Sequence, residues 1–377
     1  MIEMQYNFPL LPSQGEQWRS RLASVVAALT PSDPGQLRPT FRASDPHAVL
    51  AQRASAAAWL KSDPALTYLT CGTHHGTLVS LMAAGIAGRP IAVESITYTA
   101  ILEQARMLAS PLIACGFDEQ GILPEALAVA CQVGARAGRP IAALYTMPTV
   151  HNPLGCVASL SRREAIVAVA RTHDLLLVED DAYGYMQPDA PATYAQLAPE
   201  RTFYVRGLSK SYAPAVFTGF LVAPARFSSA IETAIKNSST GTSLPHNTAA
   251  LSLITDGSVD VIMALKCTEG GRRNSAAREL LAAAGLTRLC SPAALNAWHL
   301  WINLPASSEG RALTPQAFES LMASRGVAIT GGNWFLADPT NPAPANGFRL
   351  ALGGELDAAR TMEGVQLVVE ALSELST

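Results

Sequence analysis

The chain has 377 residues, 49% of them hydrophobic and 15% charged, with a formal net charge of −3. That length is too great for one small domain, and the apolar share supplies a large buried core. Lysine and arginine are scattered and form no basic run, which argues against nucleic acid or an anionic membrane as main partner. From Met1 to Trp18 there is no cationic and then apolar segment of a signal peptide, and no apolar run reaches membrane-spanning length. The six cysteines (71, 115, 131, 156, 267 and 290) show no CxxC spacing and read as reduced thiols. A soluble, cytoplasmic protein is expected.

Residues 1–44 are irregular, with Pro9, Pro12, Pro31, Pro34 and Pro39 around one helical patch from Glu16 to Leu29. Val49, Leu50, Ala54, Ala57 and Leu60 then fall at the spacing of an amphipathic helix. Tyr68-Leu-Thr-Cys71-Gly-Thr73-His-His-Gly76 opens into an apolar stretch from Leu78 to Ala87. A Gly-Thr turn leading into a helix gathers free N–H groups and the positive helix end, a setting for an anion. Taken alone, the same turn is equally the polar cap of a buried helix. Ile91–Glu94 is a short strand, and Tyr98 follows it.

The densest stretch runs from Ile141 to Phe220. Ile141–Thr146 is an apolar strand, and His151-Asn-Pro-Leu-Gly155 follows as a turn. Ser161 with Glu164 predicts a capping box for a helix burying Ile166, Val167, Val169 and Ala170. Leu175–Val178 is apolar on both faces, as a covered parallel strand should be, and ends in Glu179-Asp180-Asp181-Ala-Tyr183-Gly184. Phe203–Val205 leads to Gly207-Leu-Ser209-Lys210-Ser-Tyr-Ala-Pro214. In an open α/β sheet, ligands sit beyond the carboxyl ends of the strands, so Asn152, Asp180, Tyr183 and Lys210 converge on one site. Beyond Pro245 the pattern predicts a strand over Ala297–Leu304 and helices over Arg311–Arg325 and Asp357–Leu375. Gly347–Leu352 reads as an edge strand facing the cleft. The expected division is a large lobe of residues 45–245 and a small lobe of 1–44 with 246–377.

Asn-Pro-x-Gly, then Asp-x-Ala-Tyr-Gly, then Ser-Lys followed by Ala-Pro, resembles the fold-type I aminotransferases that use pyridoxal 5′-phosphate. The likeness covers nearly the whole chain. It is closest to the branch holding 2-aminoadipate aminotransferases and the aminotransferase-like halves of MocR-type regulators. A winged helix-turn-helix does not fit before the core-like pattern. The resemblance implies an α/β fold, with a mostly parallel, seven-stranded, doubly wound sheet in the large lobe and an α+β layer in the small one. It also implies a C2 homodimer and transfer of an amino group between an α-amino acid and a 2-oxo acid.

The same resemblance assigns roles. Lys210 would hold the cofactor as an internal aldimine and then act as base, which requires a lowered lysine pKa. Asp180 would face the ring nitrogen and favour its charged form, while Asp181 points the other way along the strand. Tyr98 would stack on the ring, and Asn152 and Tyr183 would donate to its phenolic oxygen. Gly72 and Thr73 would bind the phosphate, and Ser209 belongs with the cofactor-binding residues. Arg349, with Asn152, would grip the substrate carboxylate.

The chain departs from this family at the phosphate. Gly207 stands where a serine is usual, Phe217 where an arginine is usual, and Phe41 where the partner subunit supplies a tyrosine. An unpaired phosphate in a partly buried site is costly, so Arg206, with His74 behind it, is expected to compensate. Strand alternation counts against Arg206. No metal is expected. Two alternatives stay open: a lyase or amine oxidation on the same cofactor, and a non-catalytic cofactor-binding sensor.

Overall fold

Seven short runs, most of their residues buried, pair into one sheet: β1 (Thr67–Thr70), β2 (Ile91–Glu94), β3 (Leu112–Cys115), β4 (Ala143–Thr146), β5 (Leu176–Asp180), β6 (Thr202–Gly207) and β7 (Gly219–Val222). Their spatial order is β1-β7-β6-β5-β4-β2-β3. β7 runs antiparallel to both neighbours, and the other pairings are parallel. The computed structural model describes residues 1–29, 46–305 and 313–376. The role expected of Phe41 lies outside the described residues.

Because side chains alternate along a strand, the sheet separates two packed layers. Val178, Phe203 and Val205 join Tyr68, Val79 and Ile101 on one face. Leu144 and Leu177 join Ile166 and Leu175 on the other. The second layer holds the helix Leu160–Thr172, which begins earlier than its sequence suggests. Its cap is Ser159, whose Oγ accepts from the Arg162 N–H at 3.3 Å, not Ser161. That start turns Arg163 inward and leaves Glu164 exposed.

A second core gathers Ile2 and Met4 with Leu300, Phe318, Phe348 and Leu372. It lies on a three-stranded antiparallel sheet of β8 (His299–Asn303), β9 (Thr330–Gly331) and β10 (Gly347–Ala351). β10 is its middle strand, not the expected edge, because β9 supplies a partner that Gly331 and its loop residues hid in the sequence. The helix Gln14–Leu29 packs elsewhere: Trp18 sits with Tyr212 and Leu251 beside the large sheet. Ile2 and Met4 thus belong to the second core, whereas this helix packs beside the large sheet. Among the described residues no single helix is long and apolar enough to cross a membrane.

Arg163 ties the loop after β4 to the rest of the large sheet. It is wholly buried and donates to the carbonyls of Pro148, Ala158, Pro191 and Ala192 and to Thr149 Oγ1. Arg163→Met leaves those acceptors dry and should cost about 3–5 kcal/mol. A urea titration that gives the variant the same midpoint as the parent would contradict this reading.

Candidate active site

The carboxyl ends of β4, β5 and β6 bring Asn152, Asp180, Tyr183 and Lys210 to one edge of the sheet, where β10 adds Arg349. Lys210 rides on the short helix Leu208–Ser211 that follows β6. Its Nζ donates to the Asn7 carbonyl at 2.8 Å and lies 3.9 Å from the Phe8 ring centroid and 5.7 Å from that of Tyr183. Desolvation, followed by the nearby charge of Arg349, pushes the amine down to about 7, against a smaller opposing effect of Asp180.

Asp180 is buried and accepts from Tyr145 Oη at 2.8 Å and from the Ala182 N–H at 3.0 Å. Burial pushes it up to about 6, and these two donors limit the rise. It is therefore a carboxylate at neutral pH. Arg349 donates through Nη1 to Asn152 Oδ1 at 2.8 Å and through Nη2 to the Gln5 carbonyl, while its buried Nε has no partner. Burial lowers its pKa from the ordinary arginine value.

The N-terminal segment closes this edge. Asn7 Nδ2 lies 3.3 Å from Tyr183 Oη and 2.8 Å from His299 Nδ1. His299 Nε2 faces the His151 carbonyl at 3.0 Å, so that nitrogen carries the proton and Nδ1 accepts from Asn7. Burial, the largest effect, pushes His299 down to about 3 and keeps it neutral.

A turn beside Lys210 is built for close approach. Gly72 opens the helix Gly72–Ala83 at φ +84°, where a side chain would be strained. β7 lies against it: a Cβ on Gly219 would sit 2.5 Å from the Gly72 carbonyl carbon. The first N–H groups of a helix lack intrahelical acceptors, and no side chain caps this one. Ser209 Oγ is 4.0 Å from where a Gly72 Cβ would be, so it borders the same turn. Thr73 explains Gly207: a Cβ at position 207 would meet the Thr73 methyl at 3.0 Å. His74 Nε2 lies 2.7 Å from Tyr98 Oη. Burial, and then Lys210, lower the His74 pKa. Burial also raises the Tyr98 phenol to about 12.

Arg206 is not in this constellation. It sits on β6 between Val205 and Gly207, so its side chain leaves the opposite face, where it lies 3.8 Å from Asp181 and 4.6 Å from the Trp59 ring centroid. The expectation that it compensates at the phosphate is corrected by strand alternation. Phe217 is 66% exposed, in the left-handed region at φ +47°.

Residues 16–365 match the family described as aminotransferase class I and II. The chain belongs to that family. It is 34% identical over 167 residues to aminotransferase swnA of Metarhizium robertsii, covering 42% of this chain and 34% of that protein. It is 23% identical over 300 residues to the uncharacterized HTH-type transcriptional regulator YdeF of Bacillus subtilis, covering 80% of this chain and 61% of the regulator. The chain thus spans from about a third to three fifths of these relatives' lengths. The crystal structure of an archaeal alanine:glyoxylate aminotransferase superposes with a TM-score of 0.85 at 19% identity, covering 99% of this chain and 91% of that one. The fold is therefore that of this aminotransferase family, with a central, mostly parallel sheet.

Several residues at this edge were silent in the sequence. Asn7 arrives from a segment more than a hundred residues away from any strand it meets, and His299 from the second sheet. Lys266 is fully buried and donates to the carbonyls of Lys210 at 2.8 Å and Tyr212 at 2.5 Å. Tyr145 did leave a signal: a tyrosine inside an apolar strand needs a partner for its hydroxyl.

The two charges beside Lys210 act on its amine in opposite directions. In cofactor-free protein, competitive labelling should give Lys210 a titration midpoint near 7, against about 10.4 for an ordinary lysine. Removing a positive neighbour in Arg349→Ala should raise that midpoint, and removing a negative one in Asp180→Asn should lower it. Shifts of the same sign in both variants would refute the arrangement.

Proposed function

We propose that this chain is a pyridoxal phosphate-dependent aminotransferase that moves an amino group between an α-amino acid and a 2-oxo acid. The observation that carries the reading is Lys210, an amine pushed to about 7 at the sheet edge that also holds Asp180 and Arg349. The residues fit the cofactor. The uncapped turn at Gly72 and Thr73, bordered by Ser209, suits a phosphate, and the neutral phenol of Tyr98 suits one ring face. Asp180 suits a ring nitrogen, and Tyr183 with Asn152 suits a phenolic oxygen. When bound, pyridoxal phosphate supplies an aldehyde for amines and a ring that accepts electrons.

The chain's own groups do the rest. Near neutral pH the Lys210 amine is substantially unprotonated, so its Nζ can act as nucleophile and carry a proton. Tyr145 and the Ala182 N–H hold the Asp180 carboxylate in one orientation. Asn152 fixes the Arg349 guanidinium, whose partnerless Nε leaves a donor for a substrate carboxylate. The carbonyls of Gln5 and Asn7 accept from Arg349 and Lys210 and hold both side chains in place.

A C2 homodimer belongs to the same proposal, supported by the exposed ring of Phe217, seven residues after Lys210. So does a cytoplasmic location, supported by six cysteines that stand free. The lobe division at residues 45–245 is likewise proposed, supported by the shared core of Ile2, Met4 and the segment 277–372.

Mixing the protein with amino acids should convert bound aldehyde cofactor to its amine form, followed by absorbance. Lys210→Ala should abolish conversion. Asp180→Ala should retain cofactor but lose activity by orders of magnitude, since about 3–5 kcal/mol at 1.36 kcal/mol per tenfold is a large rate loss. Asp181→Ala, on the other face, should be mild. The reverse ranking, or cofactor bound without any conversion, would sink the aminotransferase reading.

A further inference from the structure

On the face of the sheet away from Lys210, a cavity of about 560 Å³ lies between β5, β6 and the helix Ser258–Ala283. Asp181, Tyr204 and Arg206 form its polar wall, with Tyr185, Met263 and Cys267 among its other lining residues. That size is within the range of small-molecule pockets.

Arg206 is the unusual member. Two other inward arginines, Arg163 and Arg273, each donate to several carbonyl oxygens. Arg206 does not. Its guanidinium lies 4.6 Å from the Trp59 ring centroid, its Nη2 faces Met263 Sδ at 3.9 Å, and its Nη1 is 3.8 Å from Asp181 Oδ2. These contacts are longer than a hydrogen bond to oxygen. Among the described residues it donates to no carbonyl or carboxylate oxygen, its polar neighbours being the Tyr204 side chain and Asp181, although guanidinium carries five N–H donors. Asp181 Oδ2 accepts from the Tyr204 hydroxyl at 2.5 Å, and its Oδ1 accepts no hydrogen bond among the described residues.

We propose that this cavity is a second ligand site that takes a small α-amino acid, its carboxylate on Arg206 and its ammonium on Asp181. The charge balance selects the class. One cation and one anion stand side by side, so a plain carboxylate would be repelled by Asp181 and a plain amine by Arg206. A zwitterion satisfies both, and the ring, thioether and thiol of Tyr185, Met263 and Cys267 suit an apolar side chain. The site does not depend on the role of Lys210. It does sit directly behind Asp180, because Asp180 and Asp181 are successive residues that face opposite ways.

The test is equilibrium dialysis of the full-length protein with L-phenylalanine, phenylpyruvate and 2-phenylethylamine as probes. Measurements are made on the unaltered chain and on Arg349→Ala. Expected is one equivalent of L-phenylalanine that survives Arg349→Ala, with much weaker binding of the other two probes. Arg206→Met and Asp181→Asn should each weaken it about 10- to 100-fold, as for loss of a hydrogen bond to a charged group. Ala264→Trp obstructs the cavity from an exposed helix position without touching either charge, so it tests the site even if the charge variants fold poorly. The proposal is overturned if no such equivalent exists, if Arg349→Ala removes it, if it persists in Ala264→Trp, or if phenylpyruvate binds as well.

Discussion

Three acids stand in a row at the end of β5, and a strand must send them alternately to two faces. All three are buried, so each needs its own answer to the loss of water. Glu179 has Arg163 at 3.9 Å and the Ala195 N–H at 3.1 Å, too little to hold a charge; burial pushes it to about 8, and it is protonated at neutral pH. Asp180 receives two good donors and stays ionised. Asp181 receives the Tyr204 hydroxyl on the far face. The site, the loop after β4 and the cavity behind the sheet all follow from how those three carboxyls are distributed.

The second constraint is the desolvation of Lys210. A lysine becomes a nucleophile near neutral pH only if its ammonium is made costly. Here the enclosure is assembled from distant parts of the chain: the carbonyl of Asn7, the ring of Phe8 and the charge of Arg349 from β10. Ile2 and Met4 lie in the second core, which couples the position of that N-terminal segment to β10. Movement of the second core against the large sheet would therefore change the environment of the amine directly.

The glycine at position 207 has a local cause. A Cβ at position 207 would meet the Thr73 methyl at 3.0 Å, so the helix that faces the strand occupies the space a side chain there would need. Gly219 lets β7 approach the same turn. Phe217 points its ring to solvent, and Arg206 and His74 are otherwise engaged, so the polar character of this turn rests on backbone N–H groups with Ser209 Oγ beside them.

What the sequence determined by itself was whatever depends on neighbours in the chain. Runs such as Leu175–Val178 and Phe203–Val205 announced covered strands, and the topology of an open sheet put Asn152, Asp180, Tyr183 and Lys210 at one edge. Alternation along β5 and β6 separated Asp180 from Asp181 and already warned against Arg206. Tertiary structure alone decided the rest, because those contacts join segments with no periodicity in common. Asn7 and His299 meet Tyr183 across two sheets, and Lys266 reaches the Lys210 carbonyl from a helix whose sequence marks it only as a lysine among apolar residues. β10 became a central strand because β9, two residues long, paired with it. The pKa of Lys210 belongs to the same class: it is set by burial, and burial is a property of the folded chain.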